Sequence, residues 1–153
     1  MKKIFYIIFT FIISLMLFSC DIHNDVKPGR RVNTKWVSEE PEIFFVVAED
    51  NDYYTCLGTL KDSQKLYNID MSFDYGKDVN IIDYDVLKEN NFVLKEEHIL
   101  AKATCSFSEE KCVIKITKSS LDSIEVGDKI TFNLVDELPE WATQVTETED
   151  ESD

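Results

Sequence analysis

Glycine is scarce in this chain, and the four glycines that it has do not cluster. A loop that cradles phosphate needs several close glycines so that its backbone can approach the ligand, so we expect no nucleotide site. There is also no C-x-x-C pair, which argues against a redox motif or a zinc knuckle. The oxygen-rich run Glu49–Asp52 lacks the glycine and the distal glutamate of an EF-hand loop and is typical of a hairpin turn. We therefore predict no cofactor and no metal.

Histidine is almost absent as well, since only His23 and His98 are present. His98 follows two glutamates and precedes an apolar strand, which favours a surface or strand-edge position. No Ser/His/Asp arrangement has the signature of a hydrolase nucleophile. Asp83 and Asp85 share one strand face, but solvated surface acids explain them better than a glycosidase pair. The sequence therefore predicts that the protein is not an enzyme.

Positive charge is also in short supply, with 16 Lys and Arg against 30 Asp and Glu and a formal charge of −14. A chain of this charge repels nucleic acid and anionic lipid headgroups, so we expect no nucleic acid among its partners. Basic proteins, cations and neutral ligands remain as classes of partner. Solubility at a crowded surface would also explain such a charge.

The one long apolar run lies at the N-terminus, from Ile4 to Phe18, after two lysines. This run is shorter than the roughly 20 residues of a membrane-spanning helix. Together with Leu17-Phe18-Ser19-Cys20 it resembles a bacterial lipoprotein signal peptide with its lipobox. The resemblance implies cleavage between Ser19 and Cys20 and attachment of diacylglycerol and palmitate to Cys20. The protein would then be anchored by these acyl chains to a lipid bilayer of the cell envelope, with its domain outside the cytoplasm.

Four segments follow from this interpretation. Residues 1–19 are the signal peptide, 20–30 a lipidated N-terminus and polar tether, 31–138 a β-domain and 139–153 an acidic tail. Removal of residues 1–19 takes away Lys2 and Lys3 and no acid, which leaves 14 basic and 30 acidic side chains and a formal charge of −16. Acidic segments with few apolar residues stay disordered, and Trp141 is the one tail residue expected to be able to dock back.

Within the β-domain the apolar residues alternate with a period of two, and β-branched and aromatic residues are frequent. About eight strands are predicted, at Val32–Val37, Ile43–Val47, Tyr53–Leu60, Asn68–Tyr75, Val79–Tyr84, Ile99–Phe107, Val113–Thr117 and Lys129–Val135. The turn signals between them favour an all-β antiparallel meander that forms a small closed or half-open barrel. Residues 86–97 interrupt the pattern and predict one short helix or a long loop.

The cysteines after Cys20 are odd in number: Cys56, Cys105 and Cys112. One bridge is compatible with export, but a turn at Glu109-Glu110 would place Phe107 rather than Cys105 opposite Cys112. The two sulfurs would then lie diagonally on one face, which is poor disulfide geometry. We predict no obligatory disulfide.

Trp36, the run Val37–Phe45 and the late strands resemble small lipocalin-like bacterial β-lipoproteins, which implies a barrel fold. The aromatic residues of the β-domain have two interpretations. They pack the core, or an apolar ligand site is lined by Trp36, Phe45, Tyr54, Phe73 and Tyr75. Because Phe44 and Phe45 are adjacent, one of them faces outward, where it is either covered or part of a binding surface.

Three functions remain open. The leading hypothesis is a surface lipoprotein whose non-enzymatic β-domain binds a macromolecule or has an envelope role. The alternatives are a lipocalin-like carrier of a small apolar ligand and an inhibitor of a basic cell-wall hydrolase. The Ser-Gly pair before a tyrosine that is typical of such inhibitors is missing here.

Overall fold

The computed structural model describes residues 27–50, 53–74 and 77–142. They form eight antiparallel strands in sequence order, which close into a barrel. The strands are β1 Lys35–Ser38, β2 Ile43–Asp50, β3 Tyr53–Asp62, β4 Lys65–Phe73, β5 Asp78–Asp83, β6 Ile99–Phe107, β7 Lys111–Ser119 and β8 Lys129–Val135. Helix α1, Tyr84–Glu89, follows β5, and 3₁₀ turns lie at Pro28–Arg30 and Glu96–His98. The predicted all-β meander is confirmed, and the barrel is closed rather than half-open.

Closure comes from the pairing of the first strand with the last. Trp36 of β1 lies opposite Phe45 of β2 on one side and opposite Leu134 of β8 on the other. Every strand therefore has two neighbours, and no edge is left for another chain to pair with. An up-and-down barrel of eight strands is just wide enough for side chains to fill its interior.

Alternation along the strands determines which side chains fill that interior. In β7, Cys112, Ile114 and Ile116 point into the core, whereas the residues between them lie on the outer face. Strand β4 behaves in the same way, with Ile69 and Met71 almost fully buried. In β8, Ile130 and Phe132 lie in this core and Leu134 packs against it, as the period of two in the sequence predicts.

The barrel has two distinct ends, and their names are used below. The proximal end carries the segment 27–34, the end of β2 with the start of β3, the end of β4 with the start of β5, and the connection at 108–110. The distal end carries the connections at 39–42, 63–64, 84–98 and 120–128. The described N-terminus therefore lies at the end opposite to α1.

Several element boundaries differ by a few residues from the sequence-based expectation, and two of these differences have a clear local cause. Strand β1 begins at Lys35 rather than at Val32, because Asn33 has a φ of 63° and the hydroxyl of Thr34 bonds back to the carbonyl of Arg31. Helix α1 begins at Tyr84, before the predicted residue 86, because the Asp83 carboxylate caps it by accepting from the Val86 N–H at 3.2 Å. None of the helices among the described residues is long and apolar enough to cross a membrane.

Candidate functional site

The barrel interior is packed with aromatic rings. Trp36 and Phe45 stack with their ring centres 6.2 Å apart, and Phe45 also contacts Phe132 edge-on at 5.2 Å and Phe73 at 5.7 Å. Trp36, Phe45 and Phe132 are fully buried. The structure thus brings together three of the five proposed ligand-lining residues, Trp36, Phe45 and Phe73, and these three pack on one another and on the core.

The other two proposed lining residues do not join this cluster. Tyr54 is 46% exposed and is absent from the buried core. Tyr75 lies outside the described residues. In β1, β2 and the end of β4, the alternating aromatic residues therefore lie in or against the core.

The N-terminal segment covers the proximal end of the barrel. Pro28 and Gly29 are buried, and a Cβ atom at Gly29 would meet the Phe73 ring at 2.4 Å. Cys56 donates from its thiol to the Gly29 carbonyl at 3.5 Å. Lys27 and Arg31 bond to the carbonyls of Asp74 and Glu109, in two of the proximal connections.

The β7–β8 connection covers the distal end. Its residues Leu121 and Ile124 are buried in the barrel core. The buried Asp62 carboxylate holds this connection by accepting from the N–H groups of Asp122 at 2.9 Å and Ser123 at 2.7 Å, and from the Ser123 hydroxyl. Burial opposes ionisation of Asp62, but these hydrogen bonds outweigh it and hold the pKa of the carboxyl below its ordinary value.

Outside the barrel, the C-terminal segment after β8 packs on β1 and β2. The ring of Trp141 meets Phe44 edge-on at 6.0 Å, and Ala142 is fully buried beside Val37. Trp141 also donates to Glu39 of the β1–β2 connection at 3.4 Å, so the segment runs toward the distal end. The expected docking of Trp141 is found, and the tail from residue 143 onward lies outside the described residues.

A groove of about 320 Å³ remains between this segment and helix α1, and we call it the outer groove. Apolar side chains dominate its floor and the wall contributed by Leu138. Asp85 and Lys88 of α1 form part of its other side, where the Asp85 carboxylate accepts from the Asn68 amide at 3.2 Å. The lining residues include Phe44, Val46, Leu57, Ile69, Tyr84 and Leu138.

A run of three exposed apolar side chains follows the end of helix α1. Phe92, Val93 and Leu94 are consecutive and are 62, 57 and 48% exposed, and the Phe92 ring lies 6.3 Å from that of Tyr84. Together with Tyr84 we call these residues the distal patch. Contiguous exposed apolar groups of this kind mark interaction surfaces in soluble domains.

The backbone enforces the exposure of the distal patch. Asn91 and Phe92 both adopt left-handed conformations, with φ of 54° and 58°, and the Phe92 N–H bonds to the Leu87 carbonyl at 2.9 Å. An aromatic residue in this conformation is a genuine outlier, and such strain is concentrated at functional sites. The sequence reasoning missed the patch. Its signal is the pair Asn90-Asn91, which favours left-handed turns, followed by three apolar residues in a polar stretch.

The connection that carries the distal patch has more acids than bases. Residues 83–97 carry five acids and two lysines. Glu96 bonds to Lys102 of β6 at 2.8 Å and Lys118 of β7 at 2.7 Å, and these bonds lower the pKa of Glu96 to about 2. The patch therefore lies on a connection that has a formal net negative charge and is linked to β6 and β7 through Glu96.

His98 is the one histidine among the described residues. Of the two expected positions, the surface one is wrong, whereas its place directly before β6 agrees with the edge of a strand. The His98 side chain is only 3% exposed because the 3₁₀ turn Glu96–His98 directs it inward, and none of the described residues forms a hydrogen bond with its Nδ1. Cys56, Cys105 and Cys112 are free thiols, and Phe107 lies opposite Cys112 as predicted. No group of three or more potential metal ligands converges in the described part of the chain.

The fold and surface define a class: a small eight-stranded up-and-down β-barrel with a packed interior, closed ends and an exposed apolar patch at the distal end. Its strand count and order are those of lipocalin-type barrels. No protein-family model, no curated protein and no solved structure matches the chain. Ser19 and Cys20, the predicted cleavage and lipidation residues, lie outside the described residues.

Proposed function

We propose that this protein is a lipid-anchored, non-enzymatic binding protein of the cell envelope, and that its partner is a basic protein that docks on the distal patch. The observation that carries the docking proposal is the exposure of Phe92, Val93 and Leu94 on a strained, well-anchored connection. An apolar centre with a polar rim is the usual anatomy of a protein interface. The net negative charge of the connection, like that of the whole chain, favours a partner of opposite charge.

The relative position of the two ends supports this proposal. An anchor at Cys20 would precede Lys27 by seven residues, and Lys27 lies at the proximal end. Seven extended residues span at most about 25 Å, so the proximal end would face the membrane. The distal patch would then point away from the bilayer, toward partners in the surrounding space.

The docking test uses the full chain in its host with a photoreactive residue at position 93. A matched control carries the same residue at position 126, because Val126 is 66% exposed in another distal connection. We expect one basic protein to be cross-linked from position 93 and not from position 126. Phe92→Ser with Leu94→Ser should weaken binding of that protein by about 10-fold or more, whereas Val126→Ser should leave it unchanged. Equal cross-linking from both positions would contradict the proposal.

The anchor is tested separately. With an alkyne analogue of palmitate, we expect labelling of the wild-type chain in the membrane fraction. Cys20→Ala should abolish both the label and the membrane association, because acyl chains supply the binding energy. A labelled Cys20→Ala chain would exclude Cys20 as the lipidation site, without bearing on the distal patch.

The outer groove supports a second candidate, the carriage of a small apolar ligand outside the barrel. Its volume of about 320 Å³ lies at the lower limit of ligand pockets. Native and denaturing mass spectra of the chain purified from its host would test this candidate. An extra mass that is lost on denaturation and is absent from Leu57→Arg would support it. A bare polypeptide mass would exclude a tightly bound ligand.

A further inference from the structure

The outer surface of β6–β8 differs in charge from the rest of this acidic protein, and we call it the basic face. Lys111, Lys115 and Lys129 are exposed on it, because their neighbours along β7 and β8 point into the core. The chain as a whole has a formal charge of −14, yet these three strands contain no acid. They carry five lysines, which are Lys102, Lys111, Lys115, Lys118 and Lys129.

Only part of this positive charge is neutralised by the described residues. Glu96 forms ion pairs with Lys102 and Lys118, at the distal end of the face. The other three lysines take part in none of the ion pairs among the described residues. The basic face therefore keeps positive charge that an acidic group from elsewhere could neutralise.

Lys115 and Lys129 form the centre of the basic face. They lie directly opposite each other in the β7–β8 ladder, an arrangement in which like charges repel. Both border a groove of about 330 Å³, and none of the residues that line this groove is an acid. In the same row of the sheet, Asp78 is two strands away from Lys115, because Thr104 lies between them. A carboxylate placed in the groove would relieve the repulsion between the two lysines.

The chain carries the opposite charge directly after the described residues. Residues 143–146 are uncharged, and residues 147–153 contain five acids and no base. The first of these acids, Glu147, is five residues beyond Ala142, and five extended residues span at most about 17 Å. The position of Ala142 therefore decides which lysines this acidic segment can reach.

Ala142 lies close to the basic face. It is buried beside Val37 of β1, and Val37 lies opposite Asn133 of β8. Asn133 lies opposite Lys111 of β7, so Lys111 is two strands, or about 10 Å, from Val37. Lys129 is four residues, or about 13 Å, from Asn133 along β8. Both lysines are within reach of residues 147–153.

We propose that the acidic segment 147–153 docks on the basic face of its own chain, with its carboxylates on Lys111, Lys115 and Lys129. The uncharged residues 143–146 cross the outer side of β8, where Thr131 and Asn133 are exposed and uncharged. Opposite charges then meet over the groove, which favours this placement over others on an acidic surface. The docked segment neutralises the basic face and keeps other anions from it.

The test is zero-length cross-linking of the chain purified from its host. A carbodiimide joins a carboxylate directly to an amine, so it reports pairs that are in contact. An equal mixture of ¹⁵N-labelled and unlabelled chains separates links within one chain from links between two. At low salt we expect residues 147–153 to link to the three lysines within one chain. The yield should fall several-fold at about 0.5 M salt, because salt screens exposed charges.

Lys88 of α1 is the matched control within the same molecule. It borders the outer groove, on the other side of the segment that carries Trp141, and it is in none of the ion pairs among the described residues. We expect the links from residues 147–153 to Lys115 and Lys129 to be about 5-fold more abundant than those to Lys88. Equal abundance, or absence of links to the basic face, would overturn the proposal. Links found only between two chains would overturn it too and would show that the face binds a second copy.

NMR of a variant with a neutral segment gives an independent measurement. We expect its amide signals to differ from those of the wild type at Lys115 and Lys129 and to agree at Leu57 and Lys88. Unchanged signals across the basic face would contradict the proposal, and all substitutions lie outside the barrel. The variant carries Glu147→Gln, Glu149→Gln, Asp150→Asn, Glu151→Gln and Asp153→Asn.

This inference does not depend on the proposed function, because the basic face and the distal patch are different surfaces. Phe92→Ser with Leu94→Ser should leave the pattern of links unchanged. Loss of the links in this variant would show that residues 147–153 depend on the distal patch, and it would contradict docking on the basic face.

Discussion

Gly58 of β3 lies against the backbone of Phe44 and Phe45 in β2, and it has no room for a side chain. A Cβ atom there would stand 1.8 Å from the Phe44 carbonyl oxygen, which is a backbone atom and cannot rotate away. We expect Gly58→Ala to destabilise the barrel by about 3 kcal/mol, the upper part of the usual range for overpacking. Urea unfolding measures this loss.

Gly127→Ala is the matched control for this substitution. Its φ of +101° is unfavourable for alanine, but no atom lies within 4 Å of the added Cβ. We expect it to lower the free energy of unfolding by about 1 kcal/mol from backbone strain alone. An equal loss in the two variants would show that the close contact at Gly58 is relieved at little cost.

Asp62 is a buried acid whose stabilising effect depends on pH. Asp62→Asn keeps the shape but removes the charge that accepts from Asp122 and Ser123, so we expect a loss of about 1–3 kcal/mol at pH 7. The folded-state pKa lies below the ordinary value of 3.8, so the contribution is present above that value. It is lost as the pH falls through the folded-state pKa. Unfolding free energies of both proteins should therefore converge in acid, and a constant difference down to pH ~2 would contradict this account.

At the level of elements, the C-terminal segment explains how β2 carries two adjacent buried phenylalanines. Phe45 faces the interior and Phe44 faces outward, where Trp141 covers it. We expect Trp141→Ala to lower the free energy of unfolding by about 1–3 kcal/mol, because it uncovers Phe44 and Val37. Phe92→Ala is the control, since that ring is already 62% exposed, and it should change stability by less than about 0.5 kcal/mol. Equal effects would mean that the segment contributes nothing to the fold in solution.

The alternation of apolar residues was sufficient to predict the strands. It was insufficient to predict the segments and turns that cover them. Alternation predicted β6 and β8 with the bounds that the structure has, because each strand has one buried face. The burial of Phe44 and His98 depends on contacts or turns that no strand pattern contains. The distal patch was not predicted, because an apolar residue is ordinarily expected to point inward. The left-handed backbone conformation of Phe92 directs its ring outward instead.

The whole molecule is a barrel whose closure joins its most distant strands. β1 pairs with β8 across about a hundred residues, and the segment 27–34 covers the proximal end. The meander was predictable from strand spacing, but the closed ends were not, because both coverings are irregular segments. Because both ends are closed, function is to be sought on the outer surface, where the distal patch and the outer groove lie.

Phe45 tests whether the interior is a core or a binding site. Its ring contacts Trp36, Phe73 and Phe132, so Phe45→Ala should cost about 3–5 kcal/mol and leave an apolar cavity. A dry cavity of this kind takes up benzene or xenon, and we expect the variant to bind benzene while the wild type does not. Calorimetry or NMR titration of both folded proteins measures this difference. If the wild type already bound benzene among these rings, the interior would be open, and the aromatic residues of β1, β2 and β4 would be a ligand lining after all.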